Sequence, residues 1–190
     1  NTPKFWEDKN IISLFLFPLS FITQFFNFVK KFVHKKTFKI KTICIGNIYV
    51  GGTGKTSLCI ELNNILKKHN MKSCFIKKFH RDQIDEQKIL KNNGKLFLSK
   101  KRIEAIKKAE SENYDIAILD DGLQDNSIKY DLNIVCFNNQ NWIGNGLTIP
   151  AGPLRENIQN LKKYTHIFLN GNLENFENIE KKILKINSKA

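Results

Sequence analysis

The sequence predicts an α/β fold with a mostly parallel sheet flanked by helices, preceded by an apolar helical segment. Short β-rich runs alternate with helix-spaced stretches from Lys41 onward, the pattern of strands joined by crossover helices. The strand runs are continuously apolar rather than alternating, as strands buried on both faces are. A glycine-rich turn joins the first strand to the first crossover helix, and 190 residues with 41% hydrophobic content suffice for one main core plus an appendage.

The elements follow in order. "KTICIG" (41–46) reads as a strand, "KTSLCIELNNILKKHN" (55–70) as a helix, "KSCFIKKF" (72–79) as a second strand and "KLFLS" (95–99) as a third. "KKRIEAIKKAESEN" (100–113) carries helical spacing through Ile103, Ile106 and Ala109 and leads into the strand "DIAILDD" (115–121). "LNIVCFN" (132–138) and "THIFLN" (165–170) add two strands, and "NLENFENIEKKILKI" (172–186) reads as a closing helix. In such sheets ligands sit beyond the carboxyl ends of the strands, so the residues after "KTICIG" and "DIAIL" are the expected site.

Before this core, Ile11 to Val29 is an apolar block rich in Phe, and Lys30 to Lys36 is a basic collar. Pro18, Ser13, Ser20, Thr23, Gln24 and Asn27 dilute the block, which predicts a helix broken at Pro18 and lying in a membrane interface. An amphipathic helical pair packed on the core is the alternative. Glu7 and Asp8 precede the block where a secretory signal needs positive charge. The expected division is a membrane-associated helical segment over 1–36 and a core over 37–190. With Asn1 at its start and a lysine-rich stretch at its end, the chain reads as a fragment.

A net charge of +13 suits a polyanionic partner, whether nucleic acid, an anionic bilayer or a phosphorylated substrate; a Lys- and Asn-rich genome would give the same excess. No basic-aromatic motif of a nucleic-acid reader occurs, so nucleic acid is not expected. Cys44, Cys59, Cys74 and Cys136 form no C-x-x-C pair, and the four histidines lack metal-ligand spacing. This is the composition of a reduced chain without a zinc site.

The chemistry is concentrated in "GNIYVGGTGKTS" (46–57). Gly51, Gly52 and Gly54 stand between a strand and a helix, where exposed N–H groups and the helix dipole hold an anion. Lys55 then reaches β- and γ-phosphates and Thr56 offers its hydroxyl to Mg²⁺, making this a P-loop with Tyr49 in place of its first glycine. The nucleotide-binding stretch is Tyr49, Val50, Gly51, Gly52, Thr53, Gly54, Lys55 and Thr56. In the absence of an N-K-x-D segment, ATP is favoured over GTP. "IAILDDGLQD" (116–125) places Asp120 and Asp121 at a strand end, from which an aspartate holds Mg²⁺. Adjacent carboxylates on an extended chain point opposite ways, so one serves the metal and the other does something else. A second acidic pair, Asp85 and Glu86, follows the second strand and would alone pass for a solvated helix start.

Together with "PKFWEDKNIISLFLFPLS", "IPAGPLRE", "IDEQKIL" and "HIFLNGN", these segments resemble the tetraacyldisaccharide 4'-kinases, in the family's order across nearly the whole chain. That family tolerates a hydroxyl residue at the first loop glycine. The resemblance implies MgATP-dependent phosphorylation of the 4'-hydroxyl of a lipid A disaccharide 1-phosphate, giving lipid IVA. The enzyme would work at the cytoplasmic face of the inner membrane as a peripheral or monotopic protein. It implies Asp85 as the general base with Asp120 as second candidate, Lys55 on the γ-phosphate, and Thr56, Asp121 and Glu86 around the metal. Arg155 and Glu156 would position substrate groups. Three departures stand out: a shortened stretch over Lys77 to Gln83, Asp125 where histidine usually follows Asp-Asp-Gly-x-Gln, and no counterpart of the family's C-terminal lobe. The rival functions are another membrane-associated P-loop ATPase and a non-catalytic nucleotide-binding adaptor.

Overall fold

The computed structural model describes residues 3–172 and 176–188. Residues 173–175, expected in the closing helix, the extreme ends of both expected domains, and the side chain of Lys31 in the basic collar lie outside them. Six strands, β1 (Lys41–Gly46), β2 (Ser73–Lys78), β3 (Leu96–Ser99), β4 (Ile116–Asp120), β5 (Leu132–Asn138) and β6 (His166–Asn170), form one sheet in the order β3-β2-β4-β1-β5-β6. The helices are α1 (Ile11–Val29), α2 (Lys55–Lys68), α3 (Ile84–Asn93), α4 (Arg102–Ser111) and α5 (Phe176–Ile186). The parallel sheet flanked by helices is the fold class the sequence predicts, and every strand read from it is present within one or two residues.

By compactness the chain divides into two units: Asn1–Val33, Asn47–Thr53 and Val135–Ala190 form one, His34–Gly46 and Gly54–Ile134 the other. In the second, β4 is parallel to both β1 and β2, and β3 is parallel to β2. The register sets Ile45 opposite Asp120 and Ile76 opposite Leu119, so β1, β2 and β4 end together. Cys44, Ile45, Phe75, Ile76, Ile118 and Leu119 are wholly buried, as strands covered on both faces require. All four cysteines are buried free thiols, and burial pushes the Cys74 thiol up to about 12, so they pack as small hydrophobes.

Helix α1 corrects the expectation of a break at Pro18: it runs unbroken from Ile11 to Val29 with Pro18 inside. Its start is fixed by a capping box, in which Ser13 N–H donates to Asn10 Oδ1 at 3.0 Å and Asn10 N–H to Ser13 Oγ at 2.8 Å. Beyond the proline, Ser20 Oγ donates to the Thr148 carbonyl at 2.7 Å and Asn27 Nδ2 to the Arg155 carbonyl at 2.8 Å. Anchors on both sides of Pro18 offset the one backbone bond it removes.

The helix is also inside out. Ser13 and Ser20 are its buried residues, whereas Ile11, Phe15 and Phe25 are 86%, 81% and 62% exposed. Ser13, Ser20, Gln24 and Asn27 recur at helical spacing, so the polar residues that dilute the apolar block in sequence form one protein-facing stripe. By length and composition α1 could cross a membrane.

Where β1 begins, Thr42 donates to Asp131 Oδ2 through both N–H and Oγ1 at 2.9 Å. Against the opposing effect of burial, these bonds and Lys41 hold the Asp131 carboxyl below its ordinary 3.8. A carboxyl lowered by folding stabilises the fold above its ordinary pKa and stops doing so as pH falls through the folded value. Asp131→Asn should therefore cost roughly 1 kcal/mol at neutral pH, allowing for solvent screening of a half-exposed group. Thermal melts should show the gap from the parent narrowing below about pH 3.8; a gap that persists unchanged in acid would refute the assignment.

Candidate active site

The second unit builds the acidic centre. Gly54 caps α2 in the left-handed region, φ 81°, a conformation that favours glycine, and Leu58 N–H closes the first turn on the Gly54 carbonyl at 3.0 Å. Lys55 and Thr56 follow as the first residues of α2, half-buried, where unsatisfied helix N–H groups favour an anion.

Asp120, the last residue of β4, is completely buried. Its Oδ2 accepts from Lys77 Nζ at 2.5 Å, and the same Nζ donates to Glu86 Oε2 at 2.6 Å. Lys77 is itself 2% exposed and Glu86 half exposed. Burial alone disfavours the Lys77 charge, but Asp120 and Glu86 outweigh it and raise the ammonium above its ordinary value. For Asp120 burial prevails, pushing its carboxyl up against the pull of Lys77 and Lys55. Lys55 is thus among the charges that pull on the Asp120 carboxyl.

Asp120 Oδ1 is buried without a hydrogen-bond partner among the described residues. An orphaned carboxylate oxygen is a costly feature that a cation shell or an ordered water would relieve. Those residues contain no group of three or more His, Cys, Asp or Glu able to hold a metal by themselves. The donor set fits magnesium, which takes one or two carboxylates and completes its octahedron with water and nucleotide phosphates.

Asp121 leaves β4 in the left-handed region at φ 56°, with its N–H on the Ile45 carbonyl at 2.8 Å. The residues are not in extended continuation as the sequence reading supposes, because the chain turns between them. Arg102 holds this turn: Nη2 donates to the Asp121 carbonyl at 2.5 Å and Nη1 to Asp125 Oδ2 at 3.4 Å. Asp125 in turn accepts from the Ser127 hydroxyl at 2.5 Å. The aspartate that departs from the usual histidine therefore anchors a turn with Arg102. A Cβ on Gly122 would meet Cys44 Sγ and Tyr130 Oη at 2.9 Å, so glycine is required there. Asp85 stands exposed in the first turn of α3 and makes no hydrogen bond or ion pair among the described residues.

The first unit holds the rest. Ile48 and Val50 are clamped to the "GPLRE" segment, Arg155 N–H donating to the Ile48 carbonyl at 2.7 Å and Val50 N–H to the Pro153 carbonyl at 2.9 Å. Tyr49, bridged to Leu154, is buried, and burial raises its hydroxyl above the ordinary tyrosine value. Its ring lies 3.2 Å from where a Gly51 Cβ would stand, and Gly51 has φ 143°, so the tyrosine is accommodated by a glycine beside it. Asn47 Nδ2 braces the loop from the Gly51 carbonyl at 3.1 Å, while nothing lies within 4 Å of a Cβ on Gly52. Thr53 is buried, and its hydroxyl has no partner among the described residues.

Glu156 is buried and accepts from Tyr164 Oη and, at 2.8 Å, from Asn160 Nδ2. It borders a cavity of about 510 Å³ between α1 and the segment after it, walled by Phe21, Phe25 and Phe28 on one side and Asn157 and Asn160 on the other. The half-buried Arg155 uses its backbone on both faces, its carbonyl accepting from Asn27. The structure thus brings Lys55, Thr56, Glu86, Asp120 and Asp121 into one unit, and in the other it ties Ile48, Tyr49 and Val50 to Arg155, Leu154 and Pro153, with Glu156 next in the chain. Sequence reasoning missed Lys77, Arg102 and Asn47. Only Lys77 left a trace, as a lysine at the end of an apolar strand, and nothing marked the other two.

A family model described as Tetraacyldisaccharide-1-P 4'-kinase matches residues 12–189. The tetraacyldisaccharide 4'-kinase of Pelagibacter ubique is 57% identical over 187 residues, which is 97% of this chain and 60% of that relative. The one from Rickettsia bellii is 36% identical over 171 residues, 81% of this chain and 53% of the relative. Among solved structures, LpxK from Aquifex aeolicus in complex with ATP is similar at a TM-score of 0.72 and 22% identity, covering 90% of this chain and 61% of that one. At that identity the likeness speaks for the fold. The chain spans between half and two thirds of the length of these relatives.

Proposed function

This chain belongs to the tetraacyldisaccharide-1-phosphate 4'-kinase family, and from that premise we propose that its protein transfers the γ-phosphoryl group of ATP to the 4'-hydroxyl of a tetraacyldisaccharide 1-phosphate, giving lipid IVA. The observation that carries this reading is the buried Asp120, with one oxygen unpartnered among the described residues and its carboxyl drawn on by Lys55, the first residue of a helix capped by a left-handed glycine.

Phosphoryl transfer requires alignment and charge neutralisation rather than covalent help from the protein. The loop from Tyr49 to Thr56 cradles the phosphates through its amides, and Lys55 neutralises charge on the β- and γ-groups. Magnesium, held through Thr56, Asp121 and Glu86 with Asp120 beside them, would supply further charge neutralisation across the phosphates. Asp85 accepts the 4'-hydroxyl proton as the sugar oxygen bonds to the γ-phosphorus and the bond to ADP breaks. Exposed and without a partner among the described residues, its carboxylate is available. Asp120 is the less suited base, because Lys77 occupies one of its oxygens. Arg155 and Glu156 position the sugar and its phosphate, and the cavity of Phe21, Phe25 and Phe28 edged by amides suits an amphiphile.

We assign α1 and the basic collar, within residues 1–36, to the cytoplasmic surface of the inner membrane, and 37–190 to the kinase core. Turning serines inward and phenylalanines outward makes sense for a helix bathed in acyl chains, and Lys30 to Lys36 suit anionic head groups.

Two experiments test these proposals. With labelled MgATP and tetraacyldisaccharide 1-phosphate, Lys55→Ala should lose nucleotide affinity and turnover together. Asp85→Asn should keep nucleotide affinity while turnover drops by about 10²- to 10⁴-fold. Unaltered turnover in Asp85→Asn would remove Asp85 from the mechanism, and a nucleotide-binding protein with no transfer at all would be an adaptor. In flotation with vesicles containing anionic lipid, Phe15→Asp combined with Phe25→Asp should shift the protein from the floating to the soluble fraction. Flotation equal to the parent's would take α1 off the membrane.

A further inference from the structure

The Lys77 ammonium is an unusual occupant of an acidic centre. It is 2% exposed, within 2.6 Å of two carboxylates, and attached to a strand that cannot withdraw it. Removed from water, Asp120 requires a compensating cation, and Lys77 supplies it permanently. One oxygen of Asp120 and one of Glu86 are spent on it, while Asp120 Oδ1 stays unpartnered among the described residues.

We propose that Lys77 is a tethered counter-ion that keeps free divalent cations out of the Asp120–Glu86 pair, so that the metal enters only together with a nucleotide. A unit positive charge a few ångströms from a second cation is strongly unfavourable at protein-like dielectric, and two carboxylates shared with an ammonium leave little net charge to attract M²⁺. A triphosphate brings enough negative charge to change that balance. Lys77 is then a positioning residue: it orients both carboxylates and sets the order in which ligands arrive. This rests on the reading of the site as one for a magnesium nucleotide.

Metal uptake by the nucleotide-free full chain tests it, followed as loss of the free Mn²⁺ electron paramagnetic resonance signal, with Mn²⁺ standing in for magnesium. The parent should show no saturable uptake. Lys77→Met, which keeps the bulk and removes the charge, should bind Mn²⁺ about tenfold tighter or more, and Lys77→Arg should behave as the parent. A merely structural lysine would give the opposite sign, because loosening the carboxylates weakens metal binding. If Lys77→Met lacks a cooperative melt, Lys77→Gln is read in the same way. Saturable Mn²⁺ uptake by the parent, or a folded neutral variant that binds no more tightly than the parent, overturns the proposal. No substrate or turnover enters the measurement, so a failed phosphoryl-transfer assay would leave this result standing and would count only against the kinase reading.

Discussion

Parallel pairing of β4 with β1 on one side and β2 on the other is the constraint from which the acidic centre follows. Because the strands point the same way and stop together, the end of β1, the carboxylate ending β4 and Lys77 near the end of β2 are delivered to one edge of the sheet. None of these groups needs a dedicated scaffold. Register alone places Asp120 opposite Ile45, and once it is buried there its charge must be met from within the protein. Lys77 meets it, and Glu86 at the start of α3 shares the contact. The site therefore exists as a charged, hydrogen-bonded arrangement in its own right, with one oxygen of Asp120 unpartnered among the described residues.

A second constraint shapes the first compact unit. The loops around Thr148 and Arg155 expose carbonyls that α1 satisfies with Ser20 and Asn27, and Trp6 Nε1 donates to the Pro150 carbonyl at 3.0 Å. A helix that spends its polar residues on inward hydrogen bonds has only apolar side chains to present elsewhere. The outward phenylalanines are thus the complement of an inward polar stripe, and the same segment that anchors α1 also clamps Ile48 and Val50 of the glycine loop.

Much of this was legible in the chain. Continuous apolar runs such as "KTICIG" and "DIAIL" name their strands because burial on both faces admits nothing else, and Gly-Lys-Thr after a strand marks the helix start. What was hidden depends on partners distant in sequence. Lys77 looks like one of many lysines until β2 is set beside β4. Arg102 reads as an ordinary helix residue until its guanidinium is placed on the Asp121 carbonyl, and Asp125 looks like a departure until Arg102 accounts for it. Pro18 misled for a different reason: the cost of proline inside a helix is local, whereas the hydrogen bonds that offset it lie more than a hundred residues away. In the sequence the serines and amides of α1 look like dilution because composition carries no direction, and only helical phase separates an inward stripe from scattered polarity.

The kinase proposal requires the amides of the glycine loop to hold a triphosphate. Residue-resolved amide NMR during titration with a non-hydrolysable magnesium nucleotide tests it most directly. The largest shifts should fall on Gly51 to Thr56, with Asp120 and Asp121 following. Shifts centred elsewhere, or a loop whose amides stay unmoved while nucleotide binds, would contradict it.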